Sequence, residues 1–528
     1  MLCPPPSDDP MNCTSYTRLL ASAALALAAC NTHATNVLDP WVGTWGVAPQ
    51  TYTGNGAPTG KTLRQIVHTS IAGTALRITV SNLYGNGPLT LSNAHAALAT
   101  AGSTVDAGTD HALTFNGLSS ITLAPGQAIT SDGIDFPVPA LGNVAVSFFV
   151  PQAPSTFTGH SFSQQDRYVA DGDVAGNPTI NATAIGDYEF LTNVDVQSPT
   201  TRGAVVAIGA SITDGYASTY GANHRWPNRL AERLQAAGID VGVINEGISG
   251  NNLFADGSGE SGLKRFGRDA LGQAGVRWVI FSDDPLNDLG SGNPQATVPG
   301  VIAAMQSLID SAHAKGVHFA CSTLTPWEGS SSWTAARETV RQGINTWIKG
   351  PDSTCDAVVD QDAATHDPAH PTAFLPAYDS GDHLHPNDAG YVAIAGAVNL
   401  ALFTPVSLST VTAPTGCGAF QPGNGLTPGQ TLQSCDGRFT LLLQNDGNLV
   451  LYKGSSQPLW STGTVNQDSA QLELTPSGDF VLYGKLGESL WRSGNAGQTA
   501  AQAFLQGDGN LVIYGPTSAV WASNTAGQ

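Results

Sequence analysis

Positive charge is scarce. The 528 residues hold 21 Lys and Arg against 41 Asp and Glu, a formal net charge of −20. A phosphate backbone is repelled by such a surface on average, and no basic cluster offsets it, so a nucleic-acid partner is excluded. Charge of either sign is sparse, at 12%, while Gly is abundant, at 60 residues. That balance suits β-rich exported material better than a helical cytosolic enzyme. Cysteine is also rare. Beyond the first 30 residues only Cys321, Cys355, Cys417 and Cys435 remain. Their spacing does not resemble a zinc site, and four cysteines in an exported chain favour two disulfides. Cys321 and Cys355 lie at neighbouring strand-like runs and can meet; Cys417 and Cys435 bracket the start of the last region. After the leader no segment is long and apolar enough to span a membrane.

The leader itself carries an address. Residues 1–10 are polar and proline-rich, and Met11 is the better start. Arg18 precedes the short apolar core "LLASAALALAA" (19–29), which reads as a signal segment over residues 1–34. Two endings stay open. "LAAC" (27–30) resembles a bacterial lipobox, which would place a lipid anchor on Cys30; the alternative is ordinary cleavage after Ala34. The expected location is secreted or cell-surface/periplasmic, in a bacterium.

The chain is too long for one ordinary domain. Residues 38–200 contain "LRQIVHTS", "ALRITVSNLYG" and "NVAVSFFV", apolar β-branched runs separated by Gly, Pro, Asn and Asp. They predict a β-sandwich. Residues 201–403 alternate strand-like runs ("AVVAIGAS", "VGVINEGISG", "VRWVIFSDD", "VHFACSTLTPW", "CDAVVDQ") with helical ones. The helical runs begin near residues 225, 301, 335 and 387. This alternation predicts an α/β domain whose parallel sheet is covered on both faces. A Pro/Thr/Ser/Gly-rich linker follows over 404–424. Residues 425–528 repeat three times, ending at Tyr452, Tyr483 and Tyr514, with Trp460, Trp491 and Trp521 after them. Three copies of one β unit imply a pseudo-threefold domain.

In parallel α/β sheets, sites gather at the carboxyl ends of strands. Four stretches are expected there, at strand ends or in loops: Gly209-Ala210-Ser211, "NEGISGN" (245–251), "PLNDLG" (285–290) and "DSGDHLHP" (379–386). Together they hold the parts of acyl transfer. Ser211 is a candidate nucleophile, His385 its base, and Asp382, three residues earlier, the carboxylate that orients the base. The Ser211 amide, the Gly250 amide and the Asn287 side chain suit an oxyanion hole. Pro386 ends the turn, and Asn387 or Asp388 caps the final helix. Plainer roles compete: Ser211 as a helix cap, Asn287 as a turn cap. Asp379, Asp382, His383 and His385 also form a possible metal set, but no further ligand cluster accompanies them, and no metal or cofactor is expected. His383 reads as an exposed or structural neighbour, and Asp283 and Asp284 as solvated turn residues without a role.

"GASITDG", "NEGISGN", "LND" and "DHLHP" resemble the four blocks of the GDSL/SGNH hydrolase superfamily. The resemblance implies Ser211 as nucleophile, Gly250 and Asn287 in the oxyanion hole with it, and Asp382–His385 completing a triad. The β-rich leader resembles the N-terminal domain of a secreted subgroup. Two positions depart from the pattern: Ala210 stands where the family has Asp, and Pro285 where the third block has Gly. In the tail, "QNDGNLVLY" and "QGDGNLVIY" resemble the mannose-binding motif of bulb-type lectins, which implies a β-prism of three repeats. It carries sugar contacts over to Gln444, Asp446, Asn448 and Tyr452, and to Gln506, Asp508, Asn510 and Tyr514. Placed on a strand, these residues share one face. The middle copy, with Thr475, Ser477, Asp479 and Tyr483, lacks the Gln and Asn and is expected to bind weakly or not at all. The combined expectation is an exported serine esterase acting on acyl groups of a carbohydrate, with a sugar-binding tail. A secreted glycan-binding protein with a decayed hydrolase domain and a lipid esterase are the alternatives.

Overall fold

Alternating apolar runs become strands where their period requires it. The computed structural model describes residues 41–528 except 55, 405–407, 409, 466–468, 485–486, 488, 495–496 and 498–500. The leader features, with Met11, Arg18, Cys30 and Ala34, lie outside the described residues. From Trp41 to Gln197 the strands pair antiparallel, and "LRQIVHTS", "ALRITVSNLYG" and "NVAVSFFV" fall on Lys61–His68, Gly73–Ser81 and Asn143–Gln152. The first and last of these run side by side, from Lys61↔Val150 to His68↔Asn143. A small three-stranded sheet joins Gln50–Tyr52, Phe157–His160 and Tyr188–Glu189. Its middle strand leads into the loop 161–166, which reaches the candidate site.

The pattern changes at Ala204. Five strands pair in parallel in the order Gly242–Gly247, Ala204–Gly209, Val276–Phe281, His318–Ser322, Ala357–Val359. Ala204–Gly209 is buried at every position, which explains its unbroken apolar run. The order in which strands are added reverses between Ala204–Gly209 and Val276–Phe281. Loops beyond the carboxyl ends part at such a point and open a crevice. The main helices start at identifiable signals: Pro227 in the first turn of Trp226–Ala236, Thr297 accepting from the Gly300 amide, Thr334 from the Arg337 amide, and Asn387 from the amides of Ala389 and Gly390.

Two segments differ from the sequence expectation. The last helix, expected over the whole run "NDAGYVAIAGAVNLALF" (387–403), stops at Ala397; Val398 turns away, and Asn399 caps a short 3-10 turn, Leu400–Phe403. "PLNDLG" is not a loop but lies on the helix Asp284–Ser291. Asp-Asp-Pro reads as a turn locally. In the first helical turn, however, a proline's missing N–H breaks no helical bond.

Disulfides join Cys321 to Cys355 and Cys417 to Cys435. The C-terminal region forms three four-stranded antiparallel sheets, the first built on Phe439–Leu443, Leu449–Lys453 and Gln457–Ser461. Ala419–Phe420, within the segment read as a linker, joins the sheet of the third repeat, and Gly425–Leu426 joins that of the second. Trp460, Trp491 and Trp521 meet edge to face, with ring centroids 5.4, 5.7 and 5.7 Å apart.

One apolar core runs through both the first β-rich region and the parallel sheet, while the C-terminal sheets enclose another. Trp41–Gly46 lies along the edge strand Gly242–Gly247. The Gly43 amide donates to the Ala274 carbonyl at 2.9 Å, and the Val243 amide to Ser70 Oγ at 2.9 Å. A Cβ at Gly43 would meet Ile244 Cδ1 at 2.3 Å, so fully buried Ile244 fills the joint. Ile244→Ala should cost about 2–5 kcal/mol. Differential scanning calorimetry should show a lowered transition for the first two regions and an unmoved one for the C-terminal sheets.

Candidate active site

Ala204–Gly209 runs through Ala210 into a single helical turn, Ser211–Asp214, at the carboxyl edge of the sheet. Ser211 and His385 are both buried, and Ser211 Oγ lies 2.8 Å from His385 Nε2. His385 Nδ1 lies 2.6 Å from Asp382 Oδ2. The Asp-x-x-His interval works because the turn folds back on the carboxylate: Asp382 Oδ1 accepts from the amides of Leu384 at 2.9 Å and His385 at 2.8 Å. Burial pushes the Asp382 carboxyl up. The His385 imidazole and the two amides outweigh it and hold the group at about 2. A standing carboxylate fixes Nδ1 as the donor and leaves Nε2 to face the serine hydroxyl. His383 stays outside: its φ is +61°, and its Nδ1 pairs with Asp379 Oδ2 at 2.5 Å. Among the described residues no group of three or more potential ligands could hold a metal.

Gly250 has φ +80°, a conformation side chains resist, and a Cβ there would meet Ser258 Oγ at 2.6 Å. Asn287 Nδ2 donates to the Asn251 carbonyl at 2.7 Å. The second and third blocks are thus tied to each other, whereas Ser211, His385 and Asp382 are joined by direct hydrogen bonds.

Residues 207–393 match the family model described as GDSL-like lipase/acylhydrolase. This segment is a GDSL-like domain. Among solved structures the chain is similar to a putative lipolytic protein of the G-D-S-L family from Desulfitobacterium hafniense DCB-2, with 20% identity and a TM-score of 0.29, over 37% of this chain and 96% of that one. It is similar to the mannose-specific agglutinin of snowdrop (Galanthus nivalis) bulbs at 34% identity and a TM-score of 0.18, over 20% of this chain and 96% of that one. It is also similar to a domain-swapped lectin dimer from Mycobacterium smegmatis at 40% identity and a TM-score of 0.12, over 20% and 95%. No curated protein sequence matches the chain.

The GDSL-like domain corrects the expectation for Asp283 and Asp284. Neither is a solvated turn residue; both are buried. Asp283 Oδ1 accepts from the Ala210 amide at 3.0 Å and from Thr213 Oγ1 at 2.7 Å, and its Oδ2 accepts from the Ile212 amide at 2.8 Å. Three donors flanking Ser211 therefore converge on one carboxylate. Gly209 makes room for it, since a Cβ there would meet Asp283 Oδ1 at 2.4 Å. Ala210 carries no carboxylate, and the one that holds this turn comes from the end of a neighbouring strand. The acidic doublet directly after "VRWVIFS" was the available signal, because acids closing a buried strand need partners.

Fully buried Arg265 was also missed. It donates to the carbonyls of Glu246 at 2.6 Å and Gly209 at 2.9 Å, joining two strand ends below the site. Asp214 is a third. Its Oδ2 accepts from the Ser249 amide at 2.9 Å, and its Oδ1 lies 3.1 Å from His160 Nε2 of the first β-rich region. Asp284 Oδ2 has no hydrogen-bond partner among the described residues, and the Arg265 guanidinium stands 3.8 Å away. Burial foremost, then repulsion by Asp283 and Asp288, pushes its carboxyl up to about 7 against the pull of Arg265.

In the C-terminal region the sugar-motif residues do not all lie on a strand. Gln444 to Asn448 form the turn between two strands, with the Gln444 amide donating to the Asn448 carbonyl at 2.8 Å; the next strand begins at Leu449. Gln444 Nε2 donates to Tyr452 Oη at 2.9 Å, and Gln506 Nε2 to Tyr514 Oη at 2.8 Å. Asp446 and Asp508 each accept from the amide two residues on, at 3.0 Å. Asn448 and Asn510 point inward, accepting from the amides of Thr464 at 3.1 Å and Thr525 at 3.2 Å. A cavity of about 350 Å³ opens beside Gln444, Asn448, Tyr452 and Trp460. In the middle copy Thr475 spends its hydroxyl on its own turn, at Ser477 and Asp479.

Asp283→Asn puts an N–H where an oxygen accepts, so one donor of the turn around Ser211 then faces another donor. Steady-state kinetics should show kcat for ester hydrolysis falling about 10²-fold, with KM changed far less. Asp284 yields a pH prediction. Its folded value lies above the ordinary 3.8, so folding favours the protonated form. That contribution is complete below about pH 4 and is lost as pH rises through about 7. Asp284→Asn should gain stability over the native protein across this window, by on the order of 1 kcal/mol per pH unit in urea denaturation.

Proposed function

We propose that the protein is an exported serine esterase that removes acyl groups from a carbohydrate, held to its substrate by a sugar-binding tail. The carrying observation is the path from Ser211 Oγ to His385 Nε2, at 2.8 Å, and from His385 Nδ1 to Asp382 Oδ2, at 2.6 Å. Ser211 Oγ attacks the ester carbonyl carbon while Nε2 takes its proton. Asp382 stabilises the imidazolium. The tetrahedral oxyanion accepts from the Ser211 and Gly250 amides and from the Asn287 side chain, whose other N–H holds the Asn251 carbonyl. The imidazolium returns its proton to the leaving alkoxide. Water then repeats the sequence on the acyl-enzyme. No metal or cofactor enters.

The proposed division is a leader over 1–34, a β-sandwich over 38–200, the hydrolase over 201–403, a linker over 404–424 and a three-repeat β-prism over 425–528. In the tail, Gln444, Asp446, Asn448 and Tyr452, and Gln506, Asp508, Asn510 and Tyr514, take mannose-type sugars. Two weak sites act together through multivalency. The two disulfides are consistent with an extracellular protein, and among the described residues no helix is long and apolar enough to cross a membrane. Cys30 is the proposed anchor if lipid is attached. A decayed hydrolase is the weaker reading, because Asp283 answers the lost carboxylate and Pro285 occupies a position that tolerates it.

p-Nitrophenyl acetate tests the chemistry. Ser211→Ala should lose at least about 10³-fold in kcat, and Asp382→Asn a comparable factor. Equal rates in native protein and Ser211→Ala overturn the assignment. On a mannan column Ser211→Ala should be retained and the Gln444→Ala/Gln506→Ala double variant released.

A further inference from the structure

Resting on the esterase reading, we infer that Tyr216 and Phe162 form an aromatic platform for the alcohol half of the ester, and that the alcohol is a pyranose. Tyr216 follows the nucleophile turn, and its ring centroid lies 4.4 Å from that of His385. Phe162, from the first β-rich region, stacks on Tyr216 at 5.8 Å with an interplanar angle of 26°. Despite both contacts Tyr216 remains 43% exposed. A large aromatic lying on the base of the site and open to solvent has surface left for a ligand.

The platform is held rigidly. Tyr391 Oη donates to the Tyr216 carbonyl at 2.5 Å, and Gln164 Nε2 donates to the carbonyls of Gly215 at 3.3 Å and Ser218 at 3.1 Å. Ala217, next in the chain, has φ +65°. A left-handed alanine is unfavourable and persists only where its surroundings impose it. Arg225 donates to the Ser163 carbonyl from the other side of the Phe162 loop. The backbone that carries the two aromatics is therefore held in place, in part by bonds that cross between the two regions.

The side of the site decides which half of the substrate they meet. His385 Nε2 takes the Ser211 proton and passes it to the leaving oxygen, so that oxygen comes within hydrogen-bond reach of Nε2. Whatever the leaving oxygen carries extends over the ring packed on His385. The carbonyl oxygen points instead toward the Gly250 and Asn287 donors, and the acyl group takes the third direction about the carbonyl carbon. A flat, rigid aromatic face with a polar margin suits a pyranose, whose ring face presents C–H groups and whose rim presents hydroxyls. The margin is present: Tyr220, 51% exposed, donates from Oη to Asp166 Oδ1 at 2.8 Å beside the same loop. The first β-rich region thus supplies part of the substrate site as well as core.

The test compares alcohols at a constant acyl group. kcat/KM is measured on methyl 6-O-acetyl-mannopyranoside and on methyl acetate by pH-stat titration. In Tyr216→Ala the ratio of the two should fall about tenfold, chiefly through KM for the pyranoside; Phe162→Ala should lower it in the same direction, and Tyr216→Phe should restore it. A second ratio, methyl butyrate to methyl acetate, reports on the acyl side and should hold steady. An unchanged alcohol ratio overturns the proposal, as does a loss that follows acyl length. Phosphonate labelling of Ser211 confirms that each variant is folded. Native protein inactive on both esters and unlabelled at Ser211 sinks the esterase reading and the platform with it; native activity with an unmoved ratio sinks the platform alone.

Discussion

Three hydrogen-bond donors converge on the Asp283 carboxylate, and the position of the Ser211 hydroxyl follows from them. The Ala210 and Ile212 amides bracket the serine in the chain, and the Thr213 hydroxyl closes the turn. A buried carboxylate without such partners would be strongly unfavourable, and amides at the start of a short helical turn would lack acceptors. Each need is met by the other. The arrangement also links the adjacent strands Ala204–Gly209 and Val276–Phe281 at the point where strand order reverses, so the crevice and Ser211 are positioned by the same group.

The residues legible in the sequence were those whose geometry is local. Asp382 and His385 meet because two amides of one turn fold onto one carboxylate, and a three-residue interval announces that. Ser211 was legible because a buried parallel strand must end before a polar turn. Asp283 was not, since its three donors lie about 70 residues earlier and only the fold brings them near. The acidic doublet looked like a turn because Asp-Asp-Pro is favourable in turns and in the first turn of a helix alike. In the tail, spacing by two suggested a strand, but Gln444 to Asn448 close a tight turn that uses the same spacing to bond amides back to side chains. The repeat was plain at the level of period, and the meeting of Trp460, Trp491 and Trp521 is its spatial counterpart.

Polar links across the first two regions converge on the Ser211–Asp214 turn and on the loop beside Gly250. His160 meets Asp214, which in turn accepts from Ser249 beside Gly250; Gln164 holds the carbonyls after that turn; and Gln50 Nε2 donates to the Ser258 carbonyl at 2.6 Å. A rigid site needs its reactive groups held by elements that do not move independently. The β-rich region meets that requirement from one side and Asp283 from the other.

Ile244, wedged against the backbone of Gly43, has a consequence for descent. Two segments that share one interior cannot be parted by recombination without leaving each with a raw apolar wall, so they must be inherited as a pair. The C-terminal sheets close over an interior of their own, and a genome can append, exchange or discard them while the hydrolytic half stays whole.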